Sequence, residues 1–281
     1  MVRTLARSSR SSKFRIVSLC LTVMGLTLLG SLAGTGVLFM PVASAATGIH
    51  GTYTTTFTAT ESPISEGGKW INAGVSGGAS LWGDVRSTGT MAIGVNEPTT
   101  YGDPTALMSG TWGATQTVTG VIKVTSVPSG CCHEVEVRLR SAISANRVTG
   151  YEILCPVFSN PGYGIQIVRW NGANGDYVYI QGGNAHQCVN GDVLMATATG
   201  SNPTTIKVYL NGSLTLTGTD HGTETGPGTA AGPFTGGAPG IGFYNNIDSN
   251  WGIFGFSRFT ATDDTSAQGP APPTSLNAIV H

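Results

Sequence analysis

Short runs in which apolar and polar residues alternate, each closed by glycine, asparagine, aspartate or proline, recur through most of the chain. An alternation of period two places one face of a strand on a core and the other on solvent or a site. A helix needs apolar residues at i, i+3, i+4 and i+7, and no stretch sustains that spacing with caps. The clearest runs are 117–127 (TVTGVIKVTSV), 133–141 (HEVEVRLRS), 150–158 (GYEILCPVF), 163–170 (YGIQIVRW), 176–181 (DYVYIQ), 192–199, 204–210, 213–217 and 252–261. In 133–141, Val135, Val137 and Leu139 take one face while Glu134, Glu136, Arg138 and Arg140 take the other. Pro156 lacks an N–H for the ladder, so it marks an edge, a bulge or a strand end. Residues 171–175 (NGANG) form the turn of one hairpin, and Asn211-Gly212 is a two-residue turn signal for another. The pattern predicts an all-β, antiparallel two-sheet sandwich. Residues 219–240, rich in Gly, Pro and Thr, interrupt it as a long loop over an edge or rim.

The first 45 residues read differently. A basic, serine-rich stretch precedes 25 uncharged residues (16–40), and Pro41-Val42-Ala43-Ser44-Ala45 then supplies an A-x-A ending. That is the layout of a secretory signal cleaved after Ala45, with an uncleaved membrane anchor as the alternative. The expected organisation is a signal segment over 1–45, one domain over 46–262 and a Pro-rich tail or linker over 263–281. From Ala46 onward, 9 Lys and Arg stand against 15 Asp and Glu. This mildly acidic, scattered charge excludes the electrostatic footprint of a nucleic-acid binder. A membrane partner is expected only if the signal segment is retained. Four cysteines, Cys131, Cys132, Cys155 and Cys188, follow the signal segment, an even count that favours disulfides in an oxidising compartment. Spacing leaves three pairings open; the expectation is that Cys131 or Cys132 pairs with Cys155 or Cys188.

Several segments, taken in order, resemble a known group. FTATESPISEGGKW (57–70), IQIVRWNG (165–172), GDVLMATATG with TIKVYLNGSL (191–200 and 205–214), APGIGFY (238–244) and FGFSRFTAT (254–262) resemble laminin-G-like, concanavalin A-like lectin/glucanase jelly rolls of bacterial secreted proteins. The likeness spans about residues 54–262. It implies a jelly roll with one concave sheet, whose face or rim binds glycans in related proteins, sometimes with Ca²⁺. Some members of the group are glycan hydrolases or lyases, and many are non-catalytic modules.

Three kinds of candidate site follow. Glu134 and Glu136 share a strand face about 6.5–7 Å apart, a spacing open to acid–base work on a glycosidic bond, with Arg138 beside them. The run resembles the Glu-x-Asp-x-x-Glu or Glu-x-Asp-x-Glu signature of retaining β-glucanases but lacks the central Asp, and Arg138 stands at i+4. A row of solvated cross-strand ion pairs is the competing reading. Gln166-Ile167-Val168 lies where alginate lyases of this fold carry Gln-x-His, without the His. For binding, sugars stack C–H faces on aromatic rings and hydrogen-bond to amides, acids and guanidinium groups. Arg169, Trp170, Asn171, Asp176 and Tyr177 supply these around one hairpin, and Asn246 and Trp251 around a later loop. Tyr179 and Tyr244 are further aromatics on strands. No cofactor is expected; Ca²⁺ at Asp248 is the metal candidate. The expected function is a secreted, non-catalytic module that binds extracellular or cell-wall polysaccharide. A glycan hydrolase or lyase and a structural adhesion domain are the alternatives.

Overall fold

A computed structural model of the chain describes residues 51–264, apart from 75–76, 80, 96–101, 129–131, 159–161, 185, 225–231 and 246–250. The signal segment, most of the tail, Cys131, Asn246 and Asp248 therefore lie outside the described residues. Every regular element among those described is a strand. One sheet runs in the order β14 (Ser213–Asp220), β13 (Thr204–Leu210), β12 (Val193–Thr199), β7 (Gln116–Val124), β16 (Phe254–Asp263), β5 (Ala92–Gly94), β4 (Val85–Thr88) and β2 (Thr60–Glu61), with β1 (Thr52–Thr55) also paired to β16. The other runs β11 (Tyr177–Asn184), β10 (Ile165–Gly172), β9 (Arg147–Pro156), β8 (His133–Ser144), β15 (Ala238–Asn245), β6 (Thr105–Met108) and β3 (Trp70–Asn72). All the pairings are antiparallel. The result is the expected two-sheet jelly-roll sandwich.

Alternation explains which side chains meet. Val135, Val137 and Leu139 of β8 and Tyr151 and Ile153 of β9 face inward, against Ile206 and Val208 of β13 and Phe256 and Phe259 of β16. Burying such side chains is the main favourable term, at about 1.5–3 kcal/mol for each large apolar group. The alternate residues of the seven-stranded sheet face away from its partner. There Leu154, Val168 and Trp170 are covered by Ala73, Ala79 and Trp82 from the segment after β3, forming a second, smaller apolar cluster.

Turn chemistry follows the sequence. Asn211 and Gly212 both have positive φ, 51° and 82°, which lets two residues join β13 to β14. Pro156 is the last residue of β9, so its missing donor leaves the ladder intact. Two expectations are corrected. Cys155 pairs with Cys188, joining the end of β9 to the segment before β12. Cys132 is also disulfide-bonded, so neither Cys131 nor Cys132 joins Cys155 or Cys188. Arg140 does not share a face with Glu134, Glu136 and Arg138. The β8–β9 register shifts between Leu139 and Ala142, and Arg140 has φ 48°. This bulge turns its guanidinium inward, where it donates to the Thr204 hydroxyl at 2.9 Å and to the carbonyls of Ala114 and Phe234 at 2.7 and 2.8 Å.

Residues 221–224 and 232–237 of the Gly/Pro-rich loop close one end of the sandwich. Phe234 donates its N–H to the Tyr151 hydroxyl, whose proton goes to Asp220.

Candidate functional site

The outer face of the seven-stranded sheet carries a cleft of about 580 Å³. Four adjacent strands build most of it: Tyr244 from β15, Glu134 from β8, Glu152 and Leu154 from β9, and Val168 and Trp170 from β10. Tyr177 and Tyr179 of β11, Asn174 and Gly175 of the hairpin turn, and Asp103, Cys132 and Tyr163 complete the wall. Tyr244 lies directly across the ladder from Glu134, and Arg138 from Glu152, so strand register alone brings these groups together.

The aromatics form a contiguous run. The rings of Trp170 and Tyr177 are centred 5.0 Å apart and those of Tyr177 and Tyr179 5.4 Å apart. Trp170 is nearly buried, whereas Tyr179 is 53% exposed. The Asn174 amide donates to the Leu81 carbonyl, fixing the turn against the covering segment.

Beneath this rim lies a buried charge network. The Arg138 guanidinium pairs with Glu136 and, at 2.9 Å, with Glu152. It sits 5.8 and 5.9 Å from the ring centroids of Trp82 and Trp170, and the Trp170 indole N–H donates to Glu152. One carboxylate oxygen each of Asp103, Glu136 and Glu152 lies within 4.8 Å of the others. Burial raises Glu134 and Asp103 to about 8, and the negative charge of Glu152 adds to the effect in both. Tyr163 hydrogen-bonds to Glu134 and opposes that rise. Burial likewise pushes Glu136 well up, with the Glu152 charge adding and Arg138 opposing. Burial therefore favours the protonated form of Glu134, a carboxyl able to donate a hydrogen bond.

The sequence candidates separate into three sets. Glu134, Trp170 and Tyr177 line the cleft, and Glu136 and Arg138 lie beneath it, so the solvated ion-pair row is replaced by a buried one. Arg169 and Asn171 point to the opposite face of β10. Arg169 is wholly buried in an ion pair with Asp220, with Glu224 at 3.3 Å, and donates from Nε to Asn171. Asn171 in turn donates to Asp176 at 3.0 Å, so these three serve the fold around the hairpin. Trp251 is 6% exposed and packs with Phe254 in the core, where its ring fills the space above Gly94, and it does not line the cleft. Asp103, Glu152 and Tyr163 are cleft residues that sequence reasoning missed. Glu152 had a signal: it alternates with inward-facing Tyr151 and Ile153 and shares the parity of Leu154. Asp103 lies outside the alternating runs and carries no such signal.

No known protein family matches the chain, and no curated protein sequence matches it. Among solved structures the chain is similar to the carbohydrate binding module CBM66 from Bacillus subtilis, at 16% identity, covering 71% of this chain and 94% of that one, with a TM-score of 0.43. It is also similar to a protein of unknown function with a galectin-like fold from Bacillus subtilis (8% identity, 77% and 97% covered, TM-score 0.47). The exoplasmic/lumenal domain of VIP36 gives 8% identity, 76% and 91% coverage and a TM-score of 0.45. None of these shows the family to which the chain belongs.

Proposed function

We propose that the cleft binds a segment of a glycan chain and that the protein is a secreted jelly-roll module, laminin-G-like in type, which holds its ligand without changing it. The observation that carries this is the contiguous aromatic run of Trp170, Tyr177 and Tyr179 beside the hydrogen-bonding groups of Glu134, Glu152 and Asn174. Rings take the C–H faces of a sugar, while carboxyls and amides take its hydroxyls. The volume falls in the range of small-molecule sites, about 300–1,000 Å³. The Cys155–Cys188 disulfide suits an oxidising, extracytoplasmic setting.

The test is a glycan-array screen of the purified chain, with the retained glycans analysed by mass spectrometry. Retention of intact glycans, weakened in Tyr179→Ala, is the expected result; no retention of any glycan removes the reading. Hydrolysis is the second reading, favoured by one observation. Glu134, whose carboxyl burial pushes up to about 8, shares the cleft with Glu152, whose partner is Arg138. A proton-bearing carboxyl and a charge-paired one are the two parts that glycoside cleavage needs. Shortened products that vanish in Glu134→Gln support it, and intact glycans exclude it.

A further inference from the structure

We infer that the cleft selects a saccharide bearing a positively charged ammonium group, an amino sugar, over neutral, N-acetylated or acidic sugars. This rests on the glycan-binding reading above and names the class of ligand. Three observations converge on it. The described lining contains three carboxyl groups, those of Asp103, Glu134 and Glu152, and no Lys or Arg. The nearest cation, Arg138, is already engaged by Glu136 and Glu152 and is shut beneath Trp82 and Trp170. Four carboxyl groups are thus gathered around one guanidinium, with acidity left over.

The second observation is an unanswered acceptor. Glu136 is fully buried, and its Oε1 has no hydrogen-bond partner among the described residues. The Glu136 carboxyl groups with those of Asp103 and Glu152, both of which line the cleft. One guanidinium, that of Arg138, is shared between Glu136 and Glu152, and burying carboxylates in excess of their counter-charge is costly. The elevated values of Glu134 and Asp103 agree: burial, with the negative charge of Glu152 adding to it, favours the protonated form of both groups. The third observation is the aromatic wall. The faces of Trp and Tyr attract an ammonium group through the ring quadrupole, and this adds to the pull of the carboxylates. A uronate or sulfated sugar would instead place a negative charge against Glu152. As an ammonium group enters, Glu134 or Asp103 ionises and its proton leaves to solvent, so binding is linked to proton release.

The experiment is calorimetric titration of the purified chain at mildly acidic pH with oligosaccharides of equal length. One is built of glucosamine, one of N-acetylglucosamine and one of glucose, all β-1,4-linked, so only the group at C2 differs; a uronate oligomer is the fourth probe. The glucosamine oligomer is expected to bind roughly tenfold tighter than the other two, with a preference that shrinks as salt is added. Repeating the titration in buffers of different ionisation enthalpy reads the released proton. Glu134→Gln and, separately, Asp103→Asn should each reduce the ratio of glucosamine to glucose affinity; using two positions guards against a variant that does not fold. Equal binding of the three, or tighter binding of the glucose, acetylated or uronate oligomer, overturns the inference and leaves the glycan-binding reading standing. If none of the four binds while the array shows no glycan retained, both fall.

Discussion

Glu134 shows how much one side chain's surroundings decide. A carboxyl whose folded-state pKa exceeds its unfolded value binds more protons folded than unfolded, so stability falls as pH rises between the two. For Glu134 and Asp103 the window runs from the ordinary carboxylate range to about 8, and Glu136 acts in the same direction. Thermal melts should therefore show Tm falling from mildly acidic pH to about pH 8. Glu134→Gln should flatten that slope, because a neutral amide has no charge to desolvate. Tyr179, half-exposed at the rim, tests the opposite case. Tyr179→Ala should leave Tm nearly unchanged and weaken glycan binding by about 1 kcal/mol, roughly fivefold, as a lost stacking face would. The sequence names Glu134, Glu136, Arg138, Trp170 and Tyr177 from alternation and chemistry alone. It assigns Trp251 to the ligand because an aromatic next to an Asn-rich loop reads the same whether it packs against Phe254 or against a sugar.

Strands are legible to the extent that local pattern controls them. The β8–β9–β10–β11 meander, its hairpin turn and the Asn211-Gly212 turn follow from alternation and punctuation. The bulge in β8 does not, because nothing in HEVEVRLRS distinguishes Arg138, held on the outer face, from Arg140, turned to the inner one. That reversal depends on tertiary partners, the Thr204 hydroxyl and the Ala114 and Phe234 carbonyls. Sequence is equally silent on what β15 does for β8. Gly242 lies opposite Glu136, and a Cβ there would stand 2.3 Å from the Glu136 Oε2 and 2.8 Å from the Arg138 Nε. The missing side chain is what makes room for the ion pair under the cleft. Gly242→Ala should cost about 2–3 kcal/mol by denaturant unfolding, at the upper end of overpacking effects, and should weaken ligand binding as Arg138 is displaced.

At the scale of the whole molecule, two sheets with one shared core were readable, whereas the pairing of distant strands and cysteines was not, because contacts far apart in sequence leave no local periodicity. The Cys155–Cys188 bridge closes a loop spanning 33 residues that contains β10 and β11, half of the cleft wall. Replacing both cysteines by alanine should lower stability by about 3–4 kcal/mol, the chain-entropy value for such a loop, as read by denaturant unfolding under non-reducing conditions. Beyond stability, the topology sets an orientation. β1 and β16 pair directly, Thr52 opposite Thr262, so the first and last described strands lie side by side within the nine-stranded sheet. The cleft opens from the outward face of the other sheet. The chain therefore enters and leaves the described sandwich side by side, in the layer that does not carry the cleft, as both cords of a drawstring purse leave by one mouth.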